Sequence, residues 1–330
     1  MNSSLELLSI GDASFDVLVF PSETEISCEI KSKETMICFD YGDKIPVQDL
    51  QTSIGGNAAN NAVGTRRLGI NTAAVLTLGD DDIGQQIFEK LKAEEVNLDY
   101  IVRQEGTKSN YSTIINFGGE RTILSYKVPR DYIFPRELPP VPWAYLTSMG
   151  DSFEKSYAEV VAWAKANAVK LAFNPGSRQL RAGIETYHQV LEIAHIVYIN
   201  RSEAETMTHI TDSHGKEKDL LKALADLGPK IPIVTDGGNG SYIYDGQRFL
   251  RAGVLPIDAY ERTGAGDGFG AGCLAALIKG RPLEEALLWG TVNSASVIGH
   301  IGSQDGLLKE SELPEWIDRA RSCKLEIKEF

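Results

Sequence analysis

The chain has 330 residues, a length that fits one large α/β domain plus an insertion. Its formal net charge of −13 argues against a nucleic-acid partner, because such partners are held by Lys and Arg neutralising phosphates. No apolar run approaches a membrane span and no basic stretch precedes an apolar one at the start, so a cytoplasmic protein with no membrane partner is expected.

"LELLSIGD" predicts a first buried strand, which "FDVLVF" is expected to extend. "EISCEI", "TMICFDYG" and "KIPVQDL" are short, β-prone and broken by turn residues, and predict a small inserted sheet. "GGNAANNAVGTRRLG" reads as a Gly-Gly turn running into a helix of small residues that ends at Gly69. "TAAVLTLG" is a strand, and "DDIGQQIFEKLKAEEV" an amphipathic helix with an acidic start. "YSTIINF" and "RTILSYKV" flank "GGE" as a hairpin and predict a second β-rich insertion.

After the Pro-rich "PRELPPVP", the apolar runs "WAYLTSM", "VKLAFN", "HIVYIN" and "IPIVTDG" alternate with helical segments near 153–167, 186–194 and 216–227. The end of the chain is helical over 265–279, 282–299 and about 310–320. Such alternation implies a mainly parallel sheet covered by helices on both faces. Ligands of such sheets bind beyond the carboxyl ends of the strands. Asp12, Asp16, Asn174, Asn200 and Thr235 follow those ends. The four cysteines form no CxxC pair, and the five histidines form no HxH or HxxxH; reduced thiols are expected and a zinc site has little support.

Four short stretches carry chemistry. In "RTGAGDGFGAG", Gly264, Ala265 and Gly266 expose N–H groups that attract an anion at a helix start. Asp267 in the same turn is compatible with anion binding if it faces a hydroxyl and takes its proton; a plain capping Asp is the alternative. "GDGFGA" formally fits a dinucleotide loop, but the strand such a loop requires immediately before it is weak, and no GxxxxGK[ST] stretch exists. In the second stretch, Gly55 and Gly56 permit close backbone approach, while Asn57, Asn60 and Asn61 offer amides to a hydroxyl-rich ligand or cap the helix. The third, "INRSEAE", places Asn200 and Glu203 three apart at a helix start, suited either to a hydrated Mg²⁺ or to a capping arrangement. The fourth, "VTDGGNG", puts Thr235, Gly237 and Gly240 after a strand, as a nucleotide-facing loop or as an ordinary turn.

The order GGNAAN, NRSE, VTDGGNG, TGAGDGFGAG resembles the ribokinase-like (PfkB) carbohydrate kinase family, from GDASFD to GSQDG. The resemblance implies a three-layer α/β fold over 1–330 as a single kinase domain, with a β-sheet lid inserted from about 17–51 and 110–129. It implies ATP-dependent phosphorylation of a hydroxymethyl group, Asp267 matching the catalytic base and Gly264, Ala265 and Gly266 the anion hole. Asn200 and Glu203 match the motif that organises Mg²⁺ through water. Thr235, Gly237, Gly240 and Thr263 match nucleotide positions, with Asn293 near the adenine. Asp16, Gly55, Gly56, Asn57 and Asn60 match acceptor positions, with Asp12 and Asp151 as weaker candidates.

Glu261 stands where some members frame a monovalent cation with Asp, which leaves K⁺ open, and Arg262 beside it is a candidate cation for ATP phosphates. The acceptor is expected to be a sugar. A nucleoside would use aromatics among Phe15, Phe20, Phe39, Tyr41, Tyr111 and Phe117, and a sugar phosphate would use Lys44, Arg121 and Lys127. A homodimer through the lid is the expected assembly if the lid edge is exposed.

Overall fold

The computed structural model describes residues 4–22, 27–31, 34–117, 120–135, 137–258 and 262–330. The chain opens with β1 (Leu7–Gly11), buried throughout, and β2 (Ser14–Pro21), in which burial alternates. The two do not form one strand as expected; they part at Asp12 and Ala13 and enter different sheets. The burial patterns give the reason: an uninterrupted apolar run suits a sheet covered on both faces, and alternation suits one covered on a single face.

β3 (Ser27–Lys31) and β4 (Glu34–Cys38) pair antiparallel as a separate two-stranded unit, and β5 (Val47–Gly55) runs back along β2. α1 (Asn57–Arg67) follows, then β6 (Thr72–Gly79), α2 (Asp82–Ala93) and β7 (Val102–Gln104). β8 (Tyr111–Phe117) and β9 (Glu120–Tyr126) join β2 and β5 in a four-stranded sheet of order β5-β2-β8-β9. Its β2–β8 pair is parallel and the other two pairs are antiparallel.

The alternating part begins at β10 (Trp143–Thr147), α3 (Phe153–Ala166) and β11 (Lys170–Asn174). α4 (Ser177–Ala182) was not expected, and the helix foreseen near 186–194 shrinks to α5 (His188–Leu191). β12 (Ala194–Asn200), α6 (Arg201–Thr208), α7 (Glu217–Asp226) and β13 (Ile231–Thr235) come next. The chain then turns back through β14 (Ser241–Tyr244) and β15 (Phe249–Ala252). It closes with α8 (Ala265–Ile278), α9 (Leu283–Ile298), α10 (Leu313–Ser322) and β16 (Ile327–Glu329).

The large sheet has ten strands in the order β16-β15-β14-β13-β12-β11-β10-β1-β6-β7. The seven from β13 to β7 are parallel, and β14 to β16 extend the edge antiparallel. Alternate residues of each strand feed opposite layers. Leu8 and Ile10 of β1 pack with α3, α5, α6 and α7, while Leu7 packs with α8, α9 and α10. α1 and α2 cover Ala74 and Leu76 of β6.

Small residues in α8 let its neighbours approach. A Cβ on Gly272 would lie 2.5 Å from the Trp289 carbonyl oxygen of α9, and one on Gly268 would lie 2.9 Å from Val297. A Cβ on Gly270 would enter the Tyr198 ring. Across the other side of α8, a Cβ on Gly64 of α1 would come within 2.7 Å of Ala271. Close packing of α1, α8 and α9 sets the starts of α1 and α8 beside the carboxyl ends of the parallel strands. Among the described residues no helix is long and apolar enough to cross a membrane.

Candidate functional site

Two helix starts define the site. α8 begins after Gly264, whose φ of +79° lies in the left-handed region and where a Cβ would lie 2.6 Å from Ser303 Cα. The Ala265 N–H donates to the Arg262 carbonyl at 3.3 Å, and the Gly268 N–H closes the first turn onto Gly264 at 2.7 Å. Gly266 has no atom within 4 Å of where a Cβ would stand, so its backbone faces open space. α1 begins after Gly56, φ +93°, where a Cβ would lie 2.6 Å from both Ala13 Cα and the Asp12 carbonyl oxygen. Glycine is required at both starts by conformation and by space.

Asp267 sits in the first turn of α8. Asn60, buried in α1, donates from Nδ2 to Asp267 Oδ2 at 2.7 Å. The carbonyl end of the same amide accepts from Ser303 Oγ at 3.1 Å and from Gln304 Nε2 at 3.0 Å. Burial raises the Asp267 carboxyl from 3.8 to about 6; the Asn60 hydrogen bond opposes that rise and the charge of Asp16 adds to it. A carboxyl near 6 exchanges protons close to neutral pH, as a general base must.

The expected acceptor residues gather on one side. Asp16 is buried and accepts from Ser14 Oγ at 2.9 Å, and its carboxylate occupies the space where a Gly55 side chain would lie. Asn57, at the first position of α1, donates to Asn174 Oδ1 at 3.0 Å; Asn174 in turn donates to the Tyr198 carbonyl at 2.6 Å. Both carboxylate oxygens of Asp12 accept a hydrogen bond. Tyr132 Oη donates to it at 2.8 Å and Lys127 Nζ at 3.2 Å, and Tyr132 Oη accepts from the Gly150 N–H. Asp12 therefore ties the segment after β9 to the end of β1. Asp151 departs from expectation: its side chain is 77 % exposed and pairs with Arg178 at the surface.

A cavity of about 530 Å³ adjoins the start of α8, where Ala265 and Gly266 line it. Asn200, Thr235, Gly237 and Gly240 line it as well, together with Thr291, Ser294, Ala295 and Ile298 of α9. The α9 residues recur at intervals of three, one and three, which is one helical face. Asn293 is off that face. It is buried, donates to the Gly268 carbonyl at 2.6 Å and accepts from the Leu308 N–H at 2.8 Å, so it joins α8 to α9 and does not line the cavity. Helical spacing along α9 is the signal that singles out the cavity-lining residues Thr291, Ser294, Ala295 and Ile298. Arg262 lines the cavity as well, and Thr263 is half-buried beside the turn.

Asn200 and Glu203 form a reciprocal capping box at the start of α6: the Glu203 N–H donates to Asn200 Oδ1 at 2.9 Å, and the Asn200 N–H to Glu203 Oε2 at 3.0 Å. Burial and the charge of Asp267 raise the Glu203 carboxyl above its usual range. Among the described residues no three His, Cys, Asp or Glu side chains cluster as a metal cage. This donor set fits a divalent ion held through water and phosphate oxygens, not one enclosed by protein. Glu261, on which the K⁺ question turned, lies outside the described residues.

The pfkB family carbohydrate kinase model matches residues 18–310, and the chain belongs to that family. It is a phosphotransferase acting on an alcohol group. Among similar proteins, the ribokinase of Bacillus subtilis (strain 168) is 28% identical over 288 residues, covering 83% of this chain and 91% of that one. An ATP-dependent 6-phosphofructokinase of Thermoanaerobacterium thermosaccharolyticum is 26% identical over 283 residues, covering 81% and 86%. The solved Arabidopsis thaliana ribokinase, complexed with ribose and ATP, superposes with a TM-score of 0.78 at 20% identity, covering 96% of this chain and 99% of that one. At that identity the likeness shows the fold.

The raised Asp267 carboxyl makes a stability prediction. The unfolded chain loses this proton near 3.8 and the folded chain near 6, so folding stability falls as pH rises between those values and stays reduced above them. Asp267→Asn removes the penalty. The variant is expected to be about 3 kcal/mol more stable than the parent near pH 8, with the difference shrinking to about 0.5 kcal/mol near pH 4. Urea unfolding at the two pH values measures it; equal differences at both would remove the buried-carboxylate penalty.

Proposed function

We propose that the chain transfers the γ-phosphoryl group of ATP to a hydroxymethyl group of a small neutral carbohydrate, with Asp267 as the base. The observation that carries this reading is the position of Asp267. It lies one residue beyond a turn that opens on a cavity of about 530 Å³, and it is hydrogen-bonded to Asn60 of the helix that carries the acceptor candidates. A proton acceptor is thus set between a space for a nucleotide and a space for a hydroxyl-bearing ligand.

ATP would occupy this cavity, whose lining includes the Gly237–Gly240 turn, Thr235 and one face of α9, with Thr263 of the neighbouring turn near its phosphates. The γ-phosphoryl group reaches the start of α8, where the N–H groups of the Gly264–Ala265–Gly266 turn bind its oxygens. Asp16, Gly55, Gly56, Asn57 and Asn60 hold the acceptor. As the acceptor oxygen attacks the γ-phosphorus, its proton passes to Asp267 and the bond to ADP breaks. Asn200 and Glu203 would hold Mg²⁺ through water, and the ion would supply positive charge to the phosphates. The small sheet, from about 17–51 and 110–129, acts as a lid on a single kinase domain and excludes water.

Three observations favour a neutral sugar over the alternatives. Asp16 shares its face of the small sheet with Ser53, Ser112 and Ser125, a hydroxyl-rich row. Phe15, Tyr111 and Phe117 lie on the opposite face, where Phe15 stacks on Tyr111 at 6.4 Å and packs into the core, so they do not make a slot for a nucleobase beside Asp16. Of the cations suited to a sugar phosphate, Lys44 and Arg121 are exposed and Lys127 is paired with Asp12.

The lid also supplies a surface for a second copy of the chain. Leu50, Leu124 and Tyr126 share the face of Val17 and Val19 and are 56 %, 58 % and 50 % exposed. We assign this apolar face to a homodimer contact. Sedimentation is expected to show a dimer that Leu124→Asp converts to monomer; a monomeric parent would refute the assignment.

The test of the reaction is ATP consumption across free sugars, sugar phosphates and nucleosides. A neutral sugar is expected to give the fastest turnover. Asp267→Asn is expected to keep ATP binding and lose turnover by about a thousandfold or more. Full activity in that variant would sink the base assignment.

A further inference from the structure

Asp267 is held by a side chain that is itself held. Among the described residues, Asn60 is the side chain that donates a hydrogen bond to Asp267, at 2.7 Å. Other titratable groups share its electrostatic surroundings: the charge of Asp16 on β2 acts on Asp267, and the charge of Asp267 acts on Glu203 of α6, Tyr145 of β10 and Tyr198 of β12. The two acids repel its charge. The carboxylate therefore depends on the Asn60 amide keeping its NH₂ end turned inward.

An asparagine amide can present either end. Ser303 does not decide which, because its hydroxyl is 3.1 Å from Asn60 Oδ1 and 3.2 Å from the Ile54 carbonyl, and a hydroxyl can donate or accept. Gln304 supports one orientation: its Nε2 donates to Asn60 Oδ1 at 3.0 Å, and an NH₂ group turned this way cannot accept, so it favours the Asn60 carbonyl facing it and the NH₂ end facing the acceptor-only Asp267 carboxylate. Gln304 is fully buried, and its Oε1 has no hydrogen-bond partner among the described residues. Burying an unpaired carbonyl costs stability, so this amide is not placed to satisfy itself.

The segment bearing Gln304 is fixed in turn. Arg67 Nη1 donates to the carbonyls of Gln304 and Leu307, each at 2.8 Å, while its Nε and Nη2 grip Glu94 at 2.8 and 2.7 Å. Arg67 ends the helix that carries Asn60, so one rigid element holds both ends of the arrangement.

We propose that Gln304 is a positioning residue for Asp267, acting through the side-chain amide of Asn60. It fixes the polarity of the chain Gln304 N–H to Asn60 carbonyl, Asn60 N–H to Asp267 carboxylate, and so keeps the carboxylate ionised and aimed. The functional meaning rests on Asp267 being the base; the geometry and its test do not.

The test is a titration of the Asp267 carboxyl by NMR, with ¹³C-labelled aspartate and the signal assigned by its loss in Asp267→Asn. No acceptor is needed. Gln304→Met, of similar size, is expected to raise the Asp267 pKa by about half a unit to one unit, and Asn60→Ala by about one unit or more. The double variant is expected to match Asn60→Ala alone, because Gln304 acts through Asn60. Gln304→Glu, whose carboxylate only accepts, is expected to raise the pKa further than Gln304→Met and serves if the latter does not fold. An unchanged pKa in the folded Gln304 variants, or additive shifts in the double variant, would overturn the proposal. A role for Gln304 in stability alone would lower the unfolding midpoint and leave this pKa where it is. Failure here would leave the base assignment standing, and full turnover in Asp267→Asn would remove that assignment while leaving the hydrogen-bond chain intact.

Discussion

The hydrogen bond from Asn60 to Asp267 joins the starts of two helices that are 207 residues apart in sequence. It exists because α1 and α8 pack almost backbone to backbone, with Gly64 of α1 against Ala271 of α8. Larger residues at those positions would force the helices apart by more than a hydrogen bond tolerates. The glycines at 56 and 264 then let each helix begin where it does, against Ala13 and Ser303. The site is a consequence of helix packing before it is an arrangement of polar groups.

The cost of the arrangement is electrostatic. Asp16, Asp267 and Glu203 bring three carboxyls into a partly buried space, and both carboxyls with a displaced pKa, Asp267 and Glu203, are pushed upward. Such a site is poised for a cation and for a proton, since either relieves the repulsion. Asp12 belongs to a different economy: Lys127 and Tyr132 satisfy it, and it fastens the small sheet to the large one.

The order of strands and helices was legible because buried runs such as "WAYLTSM" and "HIVYIN" end in polar or turn residues and alternate with helical segments. The break at Asp12 and Ala13 was misread, because apolar content was weighed over the switch from continuous to alternating burial. The Gly-rich turns were legible because glycine is costly in helices and needs a local reason. Asn293 is polar and lies in the same region of α9 as the cavity-lining residues, but its side chain turns toward Gly268 and Leu308. Ser303 and Gln304 carry no motif that sequence alone would single out; they act through contacts 243 and 244 residues distant. Asp151 was assigned by position after a strand, and no local pattern could reveal that Arg178 draws it to the surface.

The proposed reaction turns on one proton, taken by the half-buried Asp267 carboxyl, which desolvation pushes up to about 6. The most direct measurement is the pH dependence of kcat/KM in the parent protein, with the acceptor that gives the fastest ATP turnover. The account predicts a rate that falls tenfold per pH unit on the acid side, with an apparent pKa of about 6. A rate that stays level from about pH 8 to about pH 5 would contradict it.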